Sequence, residues 1–316
     1  AKRGGMYDTH QRDESSYSIG LINSTKEALR SGREAHLPVH FSHIKALGVD
    51  VRGKAPEVVK LIEDARAGGQ NVTANQYPWL ASHTALSAAI VPRWAVDGGY
   101  AALIKRFNDP ATLARMRTDM QDNLRRRGGP HAILLSTSGL PWTGKYLDEV
   151  AKEWHLDPVD AVVRILRQTE QQSIASFTMF DSDVAYFMKQ PWVVTSSDGI
   201  DGHPREYATF PEKYQVYVKQ KKVITLPFFI RHSTGLTADI FGLDHRGYLR
   251  PGYYADVAVI DLADYIPRAN YVHWNVLATG VAALLVNGAL AVDNGKMTNA
   301  LSGRPLAHTP AKGSCP

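Results

Sequence analysis

Strand, helix, strand, joined by links of a few residues, recurs through the first eighty residues and confines this chain to parallel crossover architectures. A first β run ends at Met6-Tyr7-Asp8-Thr9-His10. Thr25 to His36 then has helical spacing through Ala28, Leu29 and Ala35, and Val39 to His43 reads as a second strand. Pro56 sits in the first turn of a helix carrying Val58, Val59, Leu61, Ile62 and Ala65, which Gly68-Gly69 ends. Asn71 to Tyr77 is the third strand. Parallel strands with crossover helices make an α/β sheet or a β/α barrel, and 316 residues suffice for either.

The alternation is interrupted after Tyr77. Ser82 to Arg127 reads as helix and loop punctuated by Gly98-Gly99, and Ala132 to Leu135 as a short strand. Asp157-Pro158 opens a helix whose apolar face is Val159, Ala161, Val162, Ile165 and Leu166. Ser173 to Met179 and Trp192 to Ser196 are strands, and Phe210 to Lys221 and Leu226 to Phe241 are helical. From Gly242 the character changes. Gly247 to Ile260 is a turn running into an alternating strand. Val281 to Val286 and Ala289 to Val292 flank Asn287-Gly288, the signature of a tight hairpin. Residues 1–241 are therefore expected to form the strands and helices of a β/α barrel, with an insertion around 82–190. Residues 242–316 are expected to form a β-rich portion and tail outside it.

Three strand ends carry chemistry. They are Tyr7-Asp8-Thr9-His10-Gln11-Arg12, His40-Phe41-Ser42-His43-Ile44-Lys45 and Val194-Thr195-Ser196-Ser197-Asp198. In a β/α barrel the active site lies at the carboxyl ends of the strands. Two imidazoles and a carboxylate placed there suit a mononuclear hydrolytic metal site. Side chains alternate along a strand, so Val39, Phe41, His43 and Lys45 share one face and His40 is expected to turn toward the helices. The pocket-facing set is then His10, Arg12, His43, Lys45, Tyr77 and Asp198. Periodicity alone does not require a metal: a hydrogen-bonded histidine, a Ser-Asp-Gly turn and surface charges would account for the same residues one by one.

Composition excludes other classes. No apolar run reaches the length of a membrane span. The net charge of +5 is modest, and Arg125-Arg126-Arg127 and Lys219-Gln220-Lys221-Lys222 lack the aromatic residues and motifs of a nucleic-acid site, so they read as solvated helix ends. The single cysteine, Cys315, permits no intrachain disulfide and stands badly for a metal ligand. Ala1 to Gly5 lacks the apolar core of a signal peptide and runs into a strand that reads as internal, so upstream sequence is expected. A cytoplasmic and a periplasmic location both fit.

At these residues the chain resembles the D-aminoacylases, or N-acyl-D-amino-acid deacylases, of the amidohydrolase superfamily. The likeness runs through Thr9 to Glu14, Phe41 to Lys45, Tyr77-Pro78-Trp79, Ala81 to Thr84 and Ser196 to Gly199. It continues through His203-Pro204-Arg205, Thr209-Phe210-Pro211, Thr234-Gly235-Leu236 and Gly247 to Asp256. The resemblance implies a β/α barrel with a small β-sandwich domain, and zinc-dependent hydrolysis of the N-acyl bond of N-acyl-D-amino acids. It implies one tight zinc site, with room for a weaker second. His10 and His43 would be zinc ligands and Asp198 the catalytic aspartate. Lys45 and Tyr77 would bind the substrate carboxylate, with Arg12 or Arg205 assisting. The family's clamp serine falls near His83 or Thr84, and Trp79 replaces a usual tyrosine. The family's earlier His-x-His strand and its cysteine or acidic ligand have no counterpart ahead of His10. The expectation is a partial barrel, inactive by itself, whose early strands come from upstream sequence or a second polypeptide. An amidohydrolase acting on cyclic amides, or a non-catalytic subunit, would be the alternatives.

Overall fold

The computed structural model describes residues 4–306, so Cys315 lies outside the described residues. Seven strands precede the change of character at Gly242. They are β1 (Tyr7–Thr9), β2 (Val39–Phe41), β3 (Val72–Gln76), β4 (Ser82–Ala85), β5 (Ile133–Leu135), β6 (Ser173–Ser176) and β7 (Val193–Thr195). The first three and the last form one all-parallel sheet in the order β1-β2-β3-β7. Among the described residues β1 and β7 each have one strand neighbour.

One face of this sheet is apolar because two amphipathic helices cover it. Val39, Phe41, Val72, Ala74 and Val193 pack against Leu21, Ala28 and Leu29 of the helix Leu21–Ala35 and against Val58 and Ile62 of the helix Ala55–Ala67. Each fully buried aliphatic side chain there contributes roughly 1.5–3 kcal/mol. Asp183, at the start of a later helix (Asp181–Met188), accepts hydrogen bonds from Gly53 N–H (2.8 Å) and Ala55 N–H (3.0 Å), satisfying donors at the start of the helix Ala55–Ala67.

The other face is polar, and here the expected orientation of β2 is reversed. Val39 and Phe41 face the helices, whereas His40 faces inward, with Nδ1 2.7 Å from Thr73 Oγ1 and Nε2 2.9 Å from Asn75 Nδ2. The strand stops at Phe41, and His43 adopts a left-handed backbone (φ 41°). Counting by twos across that turn assigns the wrong face to every residue of the strand proper, although His43 and Lys45 still reach the cavity.

Between β3 and β7 the chain builds a separate body. β4, β6 and β5 form an antiparallel sheet, and residues from Leu86 to Ile174 make a core of their own around Met116, Met120, Trp142, Val162 and Ile165. The helix Pro158–Gln168 starts as its sequence dictates: Asp157 caps it by accepting from Val159 N–H at 2.9 Å, with Pro158 in the first turn. The helix Pro110–Arg126 is capped in the same way by Asp109.

The stretch expected to be helical from Leu226 to Phe241 forms two helices, Leu226–Ser233 and Gly235–Phe241. They are broken where Thr234 leaves the helical region (φ −137°, ψ −94°). The remaining strands are β8 (Val257–Ile260), β9 (Val281–Val286), β10 (Ala289–Asp293) and β11 (Lys296–Met297). They pair antiparallel in the order β11-β10-β9-β8. The β9–β10 hairpin turns on Asn287 (φ 50°) and Gly288 (φ 83°), both left-handed as a tight two-residue turn requires.

Candidate metal centre and substrate cavity

The carboxyl ends of β1, β2 and β7 open into a cavity of about 630 Å3 that is closed on its far side by the antiparallel body. His10 follows β1 directly and His43 follows β2. Their rings meet with His10 Nδ1 2.9 Å from His43 Nε2. The backbone turn at His43 is held by its N–H donating to Asn75 Oδ1 (2.7 Å), and Ser196 Oγ donates to the same oxygen (2.7 Å). One inward asparagine on β3 thereby ties together the loops that follow β2 and β7. Burial keeps the His10 pKa below its ordinary value, which favours the neutral form that can bind a metal.

Behind His43 lies Glu14. Its Oε1 is 3.1 Å from His43 Nδ1 and 2.6 Å from Lys45 Nζ. Both members of the Glu14–Lys45 pair are buried. Burial alone would push the Glu14 carboxyl up, but Lys45 and His43 outweigh it and hold it at about 2. Burial lowers Lys45, and Glu14 opposes that. His10, His43 and Glu14 offer one ligand atom each, all within 4.8 Å of one another. Glu14 contacts the ring nitrogen of His43 that faces away from His10. Lys45 Nζ stands 2.6 Å from the same nitrogen, so the Glu14–Lys45 pair engages His43 Nδ1 while Nε2 is the nitrogen that meets His10. Two imidazole nitrogens backed by a carboxylate are a donor set that fits a zinc-type ion.

Asp198 reaches the same cavity from the turn after β7, with a left-handed backbone (φ 49°). Its Oδ2 pairs with Arg205 Nη1 at 2.9 Å. Arg205 is buried, and its Nε has no hydrogen-bond partner among the described residues. The buried ring of Tyr77 lies beneath both cations, 4.9 Å from the Arg205 guanidinium and 5.7 Å from Lys45 Nζ. Its hydroxyl turns away to the Met179 sulfur at 3.4 Å. His83, on β4, lines the cavity with neither ring nitrogen hydrogen-bonded among the described residues. Burial, with Arg205 nearby, brings its pKa down to about 4.

The sequence pattern of the amidohydrolase family matches residues 34–292, most of the chain. The chain belongs to the amidohydrolase family. It is 30% identical over 313 residues to a D-aminoacylase of Alcaligenes xylosoxydans xylosoxydans, covering 98% of this chain and 56% of that protein. It is 28% identical over 311 residues to an N-acyl-D-aspartate deacylase of the same organism, covering 97% of this chain and 54% of that one. The solved structure of an N-acyl-D-glutamate deacylase from Bordetella bronchiseptica, complexed with zinc and a phosphonate inhibitor, superposes with a TM-score of 0.72. It is 25% identical and covers 95% of this chain and 56% of that chain. This amidohydrolase chain thus spans about half the length of the relatives it matches.

Of the residues singled out from the sequence, His10, His43, Lys45, Tyr77, Asp198 and Arg205 converge around one cavity in this amidohydrolase. Arg12 also lines this cavity, but it is largely exposed and its guanidinium pairs with Glu27 at 2.8 Å; β1 ends at Thr9, so strand alternation does not govern it. Sequence reading passed over Glu14, which has no local signature beyond its place in the Thr9–Glu14 run. Its role comes from a turn that brings it against a residue 29 positions later. No helix among the described residues is long and apolar enough to cross a membrane.

Proposed function

We propose that this amidohydrolase is a zinc-dependent deacylase that hydrolyses the amide bond of N-acyl-D-amino acids to a carboxylate and a free D-amino acid. The observation that carries the reading is the convergence of the His10–His43 pair, the Asp198–Arg205 pair and Lys45 in one cavity. The likeness to deacylases of N-acyl-D-amino acids supplies the substrate class and stereochemistry. Zinc held by His10 and His43 would supply Lewis-acid activation of water and of the scissile carbonyl.

The remaining steps belong to the chain. Asp198 accepts the proton of the attacking water and returns it to the leaving nitrogen, because C–N cleavage needs a protonated amine. Arg205, with Nε open and Nη1 on Asp198, binds the substrate carboxylate beside the proton acceptor. Lys45 adds positive charge to that subsite, and Tyr77 underlies both cations. Glu14 fixes His43 and holds Lys45 in register. A cationic clamp of this kind suits a free carboxylate better than a neutral cyclic amide.

Two imidazoles fall short of the three protein ligands usual in a catalytic zinc site. The open edges of β1 and β7 also belong to a parallel sheet, a class that is normally fully covered. The proposal therefore includes further parallel strands, from outside these 316 residues or from a second polypeptide, that close the sheet and complete the ligand set. The test is hydrolysis of N-acetyl-D-amino acids by zinc-loaded and chelator-treated protein, with the L-enantiomers alongside. Zinc-dependent turnover of the D-series supports the reading. Turnover that survives complete metal removal, or that ignores the enantiomer, overturns it.

A further inference from the structure

His43 and Asp198 share an uncommon backbone. Both are left-handed without being glycine, His43 after β2 (φ 41°) and Asp198 after β7 (φ 49°). Such a conformation is costly and persists only where the surroundings hold it. The two strands are not neighbours, because β3 lies between them. Whatever sets the position of one turn relative to the other has to act across β3.

Asn75 spans that gap. Its Oδ1 accepts from His43 N–H at 2.7 Å and from Ser196 Oγ at 2.7 Å, and Ser196 stands two residues before Asp198. An amide oxygen has two acceptor sites, and both are filled. The orientation of the amide is fixed by the same contacts, since a flipped Asn75 would set its NH2 against the His43 N–H, donor against donor. Its Nδ2 donates to His40 Nε2 at 2.9 Å, so His40 carries its proton on Nδ1 and donates it to Thr73 Oγ1 at 2.7 Å. The main chain of β3 supports the same two loops: Asn75 C=O accepts from Ile44 N–H at 2.8 Å, and Gln76 C=O from Ser196 N–H at 3.1 Å. Neither Asn75 nor Ser196 is among the residues that line the cavity. Being neutral, the amide makes these contacts without adding a charge beside His40 and His43.

We propose that Asn75 is a positioning residue whose side-chain oxygen holds the turn of the metal ligand His43 and the turn of the proton acceptor Asp198 at one fixed separation. The inference rests on the deacylase reading and extends it to a residue that touches neither metal nor substrate. The link is asymmetric. On the β2 side Asn75 holds His43 directly, and on the β7 side it acts through Ser196. Cutting the Ser196 arm should therefore disturb the proton acceptor alone, whereas removing the Asn75 oxygen should disturb ligand and acceptor together.

The experiment uses the protein together with the strands that complete its sheet. It measures zinc affinity by chelator competition, and kcat and KM for N-acetyl-D-amino acids. The variants are Ser196→Ala, Asn75→Leu, their double, and Asn75→Asp. Asn75→Leu should weaken zinc binding by about tenfold or more, the scale of a lost outer contact to a metal ligand. It should also lower kcat by about 100-fold, the scale of a misplaced catalytic group, with a much smaller change in KM. Ser196→Ala should lower kcat by about fivefold, the scale of one hydrogen bond, and leave zinc affinity at the wild-type level. In the double variant kcat should fall no further than in Asn75→Leu, because the link is already cut. Asn75→Asp keeps the shared acceptor oxygen, and its other oxygen can accept from His40 after a change of tautomer, so it should recover most of both losses. Losses in kcat that multiply in the double variant, or an Asn75→Leu protein with wild-type zinc affinity and kcat, overturn the positioning role and leave the deacylase reading intact. Should Asn75→Leu not fold, Ser196→Ala decides: wild-type kcat overturns the proposal, and a lowered kcat with unchanged zinc affinity sustains it. If the wild type turns over no N-acyl amino acid, the deacylase reading fails and zinc affinity decides alone. A loss in Asn75→Leu that Asn75→Asp restores then sustains the positioning role, and equal affinity in all the proteins overturns it.

Discussion

Replacing Glu14 by glutamine keeps the shape of the side chain and removes one charge from a buried pair. Glu14 and Lys45 side chains are 7% and 4% exposed, and their charged atoms are 2.6 Å apart. The desolvation of Lys45 has already been incurred in the fold, so Glu14→Gln leaves a buried ammonium with no carboxylate. Breaking a buried pair in this way costs about 3–5 kcal/mol. The same change withdraws the carboxylate from His43 Nδ1, 3.1 Å away. Loss of such an outer carboxylate typically weakens metal binding by roughly 10–100-fold. Urea unfolding of the purified protein at neutral pH measures the first effect, and competition with a zinc chelator the second. Adding Lys45→Met to Glu14→Gln removes the stranded charge, so the double variant should recover most of the lost stability. A Glu14→Gln variant within about 1 kcal/mol of wild type, or a double variant whose losses merely add, would refute the reasoning.

Asp198→Asn should lower kcat by at least about 100-fold while zinc content stays at the wild-type level, the scale of a general acid–base group; near-normal turnover would remove Asp198 from that role. Lys45→Met should raise KM for N-acetyl-D-amino acids far more than for their amides, and equal losses on both would assign Lys45 to structure alone. Lys213 is fully buried and donates to Thr195 Oγ1 at 2.9 Å, and burial brings its pKa from 10.5 down to about 7. Below pH 7 the folded protein carries the buried charge and bears the whole penalty, up to about 5 kcal/mol; the penalty shrinks as pH rises from 7 and is gone above 10.5. Lys213→Met should therefore stabilise the protein at pH 6.5 and add little at pH 10, as thermal unfolding at the two pH values will show.

The parts of the fold legible in the sequence are those with local causes. Pro158 behind Asp157 starts a helix, and Asn287-Gly288 closes a hairpin, because backbone geometry and capping act within a few residues. His10, His43 and Asp198 stood out because each ends a short apolar run in a side chain that can bind a metal or move a proton. The orientation of His40 was not legible, because it depends on where β2 stops and on the left-handed turn at His43. Nor was the fate of Arg127. Three consecutive arginines at a helix end resemble a solvated patch, and only the packing of the helix Pro110–Arg126 over the loop near Gly48 buries the third. Glu14 becomes a functional candidate through contacts with His43 and Lys45 that span tens of residues, which local patterns do not encode.

The central claim is that His10 and His43 jointly hold the catalytic metal. Anomalous diffraction at the zinc absorption edge, from crystals of the zinc-loaded protein, tests it directly. The account predicts a peak about 2.0–2.1 Å from both His10 Nδ1 and His43 Nε2, with Asp198 facing it across the cavity. A zinc peak coordinated elsewhere, with these two imidazoles still bonded to each other, would contradict it.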